Sequence, residues 1–327
     1  QVLTLFPYTT LFRSGGAFYV TSGATLNLGS NINFSTNSST LYGGAIYNNG
    51  DLNIEDNGYY YNNLAQVGGA LLNFESGIIN VSSSNYFENN RATNGEGGAI
   101  ENVGTLSISS GTKFVLNEAN TNGGAISNAM YINGDFVANA NIGDYVLFSS
   151  NTANYGGGLS NISAIAIIGN NNIFEYNMAS SEGGAIYNTK NDYKDVVGQI
   201  TISSNTKFLN NTATNLGGAI FNNSGIITIY STATFANNSA YNGGAIYNSE
   251  GIINIGTDSS FKSNYTTTNG GAIFNQSNGI INVNSNAEFS NNETKYAGGA
   301  IYNYDGTINF DDAILFSSNT ARHGGAI

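Results

Sequence analysis

Short stretches of strict alternation recur along the chain. Leu52-Asn53-Ile54, Leu106-Ser107-Ile108, Ile227-Thr228-Ile229, Ile253-Asn254-Ile255, Ile281-Asn282-Val283 and Ile308-Asn309-Phe310 each set two apolar positions around a small polar one. Period two puts the apolar members on one face of a β-strand. About six residues later stands a Phe, followed three places on by an Asn; Phe114/Asn117, Phe235/Asn238 and Phe289/Asn292 are examples among ten such pairs. No stretch sustains the i, i+3, i+4 recurrence of a helix, and the strong helix formers are nowhere grouped. The pattern predicts strands throughout.

A second motif interleaves with the first. Double glycines begin at 15, 43, 68, 97, 123, 156, 183, 217, 243, 270, 298 and 324, at intervals of 25 to 34 residues. Most open the string Gly-Gly-Ala-Ile-x-Asn. A period near 27 residues repeated this often marks a solenoid. Each unit offers three short strands, one around Gly-Ala-Ile-x-Asn, one around Ile-x-Ile and one leading to Phe. The expected fold is therefore all-β: a right-handed parallel β-helix of about 11–12 coils, the hand following from the rule for parallel crossovers. Coils stacked roughly 4.8 Å apart would make a rod about 55 Å long.

The motif reads as a turn-and-strand code. Paired glycines suit a corner that needs φ > 0 or close backbone approach. The fourth position is Ile or Leu in every copy after the first, so Ile46, Ile126, Ile186 and Ile246 are expected to face the core. The fifth varies through Tyr47, Leu72, Glu101, Ser127 and Phe221 and is expected to face outward. Asn48, Asn73, Asn102 and seven later equivalents hold the sixth position. Asn there tolerates left-handed geometry at a strand end, and stacked carboxamides can bond from coil to coil as a ladder. If Tyr47, Tyr187, Tyr247 and Tyr302, with Phe221 and Phe274, align outside the rod, they form an aromatic stripe. Such a stripe suits glycan or protein contact, or simply stacks for stability.

Composition narrows the partners. Nine Lys and Arg against 21 Asp and Glu leave a net charge of −12 in 327 residues. So few cations cannot assemble the basic patch that a phosphate backbone requires, so no nucleic-acid partner is expected. With no cysteine, disulfides and thiolate metal sites are excluded. No run of about 20 apolar residues encodes a transmembrane helix.

Residues 4–14 share nothing with the rest and hold the only proline, Pro7. They read as the in-frame translation of a common sequencing-library adapter, so residues 1–14 are set aside and 15–327 are taken as a single solenoid. The chain stops inside a copy of the motif, after Ile327. Terminal coils need atypical caps, so the expectation is an internal fragment of a longer protein.

Gly-Gly-Ala-[Ile/Leu] alternating with Phe-x-x-Asn across 15–327 resembles the repeats of polymorphic outer-membrane proteins. The resemblance implies a surface-exposed autotransporter passenger whose β-helix acts in adhesion to host cells. Similar repeats occur in adhesin-like surface proteins of gut microbes, including archaea, which lack an outer membrane. The resemblance therefore implies a cell-surface rod, anchored to an outer membrane or cell wall through regions absent here, without naming the anchor.

Chemistry is sparse. Right-handed β-helices also house polysaccharide lyases and hydrolases, whose sites need clustered carboxylates, often with calcium. Here the acids are scattered. The Asp311-Asp312 pair reads as a solvated turn, and the single histidine, His323, has no assignable carboxylate partner. No catalytic, cofactor-binding or metal residue is predicted, and no cofactor. Two intervals are long, with extra residues expected near 137–146 and 189–198. Insertions in solenoids leave the rod as loops, where recognition concentrates. The second holds the densest charge cluster, and Lys190, Asp192, Tyr193, Lys194 and Asp195 are the candidate ligand-contact residues. The expected function is a non-enzymatic, adhesin-like rod binding a host-cell protein or glycan. The alternatives are a carbohydrate-active β-helix whose catalytic coils lie elsewhere, and a passive stalk.

Overall fold

The computed structural model describes residues 12–130, 136–191 and 195–327. All its regular elements are β-strands. Three sheets of eleven strands run the length of the molecule, and every pairing in them is parallel and in register. The first sheet runs from Phe18–Val20 to Ile301–Tyr304, the second from Thr25–Leu28 to Thr307–Phe310, and the third from Asn33–Ser35 to Leu315–Ser317. Equivalent residues pair from coil to coil, as in Leu71 with Ile100 and Phe87 with Phe114. The molecule is a parallel β-helix of eleven coils.

Ten of the eleven coils carry a fourth strand that alternation does not predict. A nine-stranded parallel sheet runs from Leu64–Ala65 to Glu293–Thr294. Most of its members are two to four residues long, too short to display a period of two; only stacking on the coils above and below makes them strands. Their inward alanines form narrow files such as Ala92, Ala119 and Ala153. Residues Phe12–Ser14, set aside above, form a strand parallel to Ser39–Tyr42. An extended segment beside an open sheet edge finds its hydrogen bonds there.

The bore is filled as the pattern requires. Leu52 and Ile54 of the second sheet are 0% and 2% exposed, whereas Asn53 between them is half-buried. In the third sheet Tyr60, Phe87, Phe114, Phe148, Phe174 and Phe208 stack with ring centroids 4.5–5.1 Å apart and planes within 12°. Fully burying each ring is worth about 1.5–3 kcal/mol, with a further increment from offset stacking.

Two asparagine ladders line the corners. In one, Asn48, Asn73, Asn102 and Asn128 pass Nδ2–H···Oδ1 bonds of 2.7–2.8 Å from coil to coil. In the other, the asparagines of Phe-x-x-Asn do the same: Asn117 bonds Asn151, and Asn151 bonds Asn177, each at 3.0 Å. The left-handed residues are elsewhere than expected. The asparagines after Gly-Gly-Ala-Ile-x are not among the positive-φ residues. Positive φ falls instead on the residue just before the Phe-x-x-Asn asparagine, as in Asn89, Leu116 and Tyr176, and three residues before the Phe, as in Asn31 and Asn171. The corner asparagines are needed for their carboxamides rather than their tolerance of φ > 0.

The two glycines of each pair do different work. The first has φ near +65°, and a Cβ there would lie 2.3 Å from the carbonyl oxygen of Ile186 in the case of Gly183. The second faces the next coil, where a Cβ on Gly184 would lie 2.1 Å from the oxygen of Gly218. Neither position admits a side chain.

Candidate functional site

The fifth position of Gly-Gly-Ala-Ile-x-Asn points away from the bore, yet it is not exposed as expected. Tyr47, Phe221, Tyr247 and Phe274 are only 5–8% exposed, and Tyr187 and Tyr302 are half-buried. The cause is the fourth sheet. Its strands lead into the double glycines, and the residue ahead of each pair comes to lie against the fifth-position side chains of the first sheet. Leu216 packs on the cluster of Phe221, Tyr247 and Phe274, and the ring of Tyr155 lies 5.1 Å from that of Tyr187. The outer face of the first sheet is thus the floor of a groove along the rod.

For much of its length the groove is filled by its own rings. Tyr187, Phe221, Tyr247, Phe274 and Tyr302 form a continuous stack with centroids 5.1–5.5 Å apart. Burial pushes the Tyr247 hydroxyl up to about 12, aided by the nearby carboxylate of Glu182. Towards the other end Tyr19 and Tyr47 stack at 4.6 Å. Between these stacks the floor narrows to Leu72, Glu101, Ser127 and Ser160.

Where the floor changes from ring to smaller side chains, a pocket of about 310 Å3 opens, lined by Tyr42, Tyr47, Leu72, Phe74, Glu96 and Glu101 among others. The rings of Tyr42 and Phe74 stand 6.3 Å and 6.0 Å from that of Tyr47. Glu101 is 4% exposed, and its Oε2 has no hydrogen-bond partner. Burial holds its carboxyl well above the ordinary carboxylate range; the neighbouring charge of Glu96 and a hydrogen bond with that side chain push the same way, against a lowering bond from Ser127. Glu96 is held by Asn122, whose Nδ2 donates to Oε1 at 2.7 Å. Sequence reading used Glu101 only as a sign of an outward face. Its partner Glu96 sits one coil-corner away in a segment without periodicity, and a glutamate between Leu72 and Ser127 at a repeat position was the one available signal.

Both insertions fall between a strand of the first sheet and the next strand of the second. The first occupies 130–138, between Ile126–Ala129 and Asn139–Ile142, rather than 137–146 as expected; pairing of Asn139 with Thr105 restores the repeat register earlier than alternation shows. The second follows Ile186–Thr189 and ends at Gln199–Ile202. It is tied to the coil before it through Ser163, whose Oγ donates to the carbonyl of Val196 and accepts from the backbone N–H of Asn191, both at 2.7 Å. Lys190 and Asp195 are exposed at its two ends. Asp192, Tyr193 and Lys194 lie outside the described residues. Asp311, Asp312 and His323 are exposed, and the His323 ring meets that of Tyr296 edge-on. Among the described residues no three His, Asp or Glu side chains converge as a metal site.

The model of the Chlamydia polymorphic membrane protein (Chlamydia_PMP) repeat matches residues 31–49, 173–189, 205–223, 232–249, 258–276 and 286–304. Each matched stretch runs from just ahead of a Phe-x-x-Asn into the following double-glycine motif, which is the path from the third sheet through the fourth to the first. No curated protein matches the chain.

Proposed function

We propose, from the premise that this chain is an array of polymorphic-membrane-protein repeats, that it serves as the adhesive rod of a cell-surface protein. The carrying observation is the coincidence of the six matched stretches with the corners of an unbroken eleven-coil β-helix. Solenoids of this kind extend a long surface by adding coils that contact only their neighbours. The aromatic groove and the insertions between strands of the first and second sheets are the surfaces on offer to a partner.

The partner proposed is a protein or glycan on a host or neighbouring cell, and the role is binding rather than catalysis. Lys190, Asp192, Tyr193, Lys194 and Asp195 are proposed contact residues, because they sit in an insertion that stacking does not require. The parent protein is proposed to be held at the cell envelope.

Particles coated with residues 1–327 should attach to epithelial cells in excess of particles coated with an unrelated acidic protein. A variant with 190–198 replaced by a two-residue turn should attach less. Absence of attachment by the full chain sinks the adhesive reading; equal attachment by the variant removes the loop from it.

A further inference from the structure

We propose that the pocket between Tyr47 and Glu101 is a binding site for an organic cation, an alkylammonium group carried by a lysine side chain of a protein partner or by a free amine. The inference stands whether or not the rod adheres to cells.

Three features converge. Glu101, a side chain that is 4% exposed, lines the pocket, and its buried Oε2 has no hydrogen-bond partner. An orphaned polar atom of this kind costs about 1–3 kcal/mol, and the fold has no need of it: the same position holds Leu72 in the preceding coil and Ser127 in the next, both buried. The second feature is a further carboxylate, Glu96, fixed by Asn122. The third is the set of rings of Tyr42, Tyr47 and Phe74 beside these acids. Aromatic faces with carboxylates form the environment that attracts a desolvated cation through ring quadrupole and charge together.

Size and charge favour a cation over a sugar chain. About 310 Å3 is at the small end of the range of ligand pockets, enough for a side-chain head and its stem. None of the lining residues is Lys or Arg, and the whole chain is acidic. The titratable group facing Glu101 is Glu96, while Tyr19, Tyr42 and Glu75 face Tyr47 on the same wall. A cation entering would draw Glu101 into its ionised form, so its carboxyl proton leaves to solvent as the ammonium pairs with the carboxylate.

The test uses the full chain at pH 7 with four probes: n-butylammonium, Nα-acetyl-lysine methylamide, and the neutral isosteres butan-1-ol and Nα-acetyl-6-hydroxynorleucine methylamide. Saturation-transfer NMR and calorimetry should show at least one ammonium probe binding and neither neutral probe competing. Binding of the lysine derivative points to a protein side chain as the natural ligand; binding of butylammonium alone points to a free amine. E101Q should weaken binding tenfold or more with its unfolding transition retained, and Tyr47→Leu should weaken it independently. Calorimetry in two buffers of different ionisation enthalpy should show proton release by the unsubstituted chain and none by E101Q. Equal binding of neutral and cationic probes, no ammonium binding, or unchanged affinity in E101Q overturns the proposal.

Discussion

The carboxamide oxygen of Asn177 accepts two hydrogen bonds from Asn151 in the coil before, from its backbone N–H at 3.1 Å and from its Nδ2 at 3.0 Å. The Nδ2 of Asn177 in turn donates to the carbonyl of Phe148 at 2.9 Å and to Oδ1 of Asn211 at 3.0 Å. One fully buried side chain therefore satisfies groups in the coil before its own and in the coil after it.

Asn177→Ala should lower stability by about 3 kcal/mol or more, because it orphans the N–H of Asn151 and removes one donor from the carbonyl of Phe148 as well as an amide from the ladder. Asn177→Asp should be at least as damaging, since a buried carboxylate cannot donate to Phe148. Urea unfolding followed by circular dichroism measures both. A loss under 1 kcal/mol for either variant would show that the ladder is not a principal support.

Gly184→Ala should disrupt the rod, because its Cβ would lie 2.1 Å from the oxygen of Gly218 and 2.7 Å from that of Thr212. Gly29→Ala, where a Cβ meets nothing within 4 Å, should change stability by no more than about 0.5 kcal/mol. The contrast between the two melting curves is the measurement; similar curves would contradict the assigned role of the second glycine.

Phe174→Ala should cost about 3–5 kcal/mol. Its ring lies 4.5 Å from that of Phe148 and 5.1 Å from that of Phe208, so the damage should centre on those coils. Hydrogen exchange should accelerate most around Phe148 and Phe208 and least near Leu28 and Phe289, as nearest-neighbour coupling in a solenoid requires. Uniform acceleration along the rod would mean that the coils unfold as one unit.

The carboxyls of Glu101 and Glu182 are both raised above the ordinary value by burial. The folded state then holds protons that the unfolded chain has released, so stability falls as pH climbs above the unfolded carboxylate value of about 4.3. E101Q removes the larger part of this slope. Its stability relative to the unsubstituted chain should rise between pH 4 and pH 8, as read from urea midpoints at several pH values. A difference that stays flat or shrinks over that range would mean that Glu101 ionises freely in the fold.

Much of the architecture is legible in particular residues. Leu52-Asn53-Ile54 announces a strand with one buried face, and Gly183-Gly184 announces a corner that excludes side chains. The 27-residue return of Phe and Asn announces stacking, since only equivalent residues brought together repeatedly can share one chemistry. The fourth strand escapes this reading. Thr212–Ala213 has two residues and no period, and is a strand only because Thr152–Tyr155 and Met178–Glu182 on one side and Ser239–Asn242 on the other form a sheet with it.

The chain alone determined that this protein winds as stacked β-coils, because alternation selects which side chains enter the bore and the long period fixes which residues meet across coils. Only the tertiary structure decided that the outer side of the first sheet is a groove. Whether an outward side chain is wet or covered depends on the angle at which the next strand turns, and no periodicity encodes that angle. Tyr47 and Glu101 therefore look like surface residues in the sequence and become the walls of a pocket when the fourth sheet closes beside them.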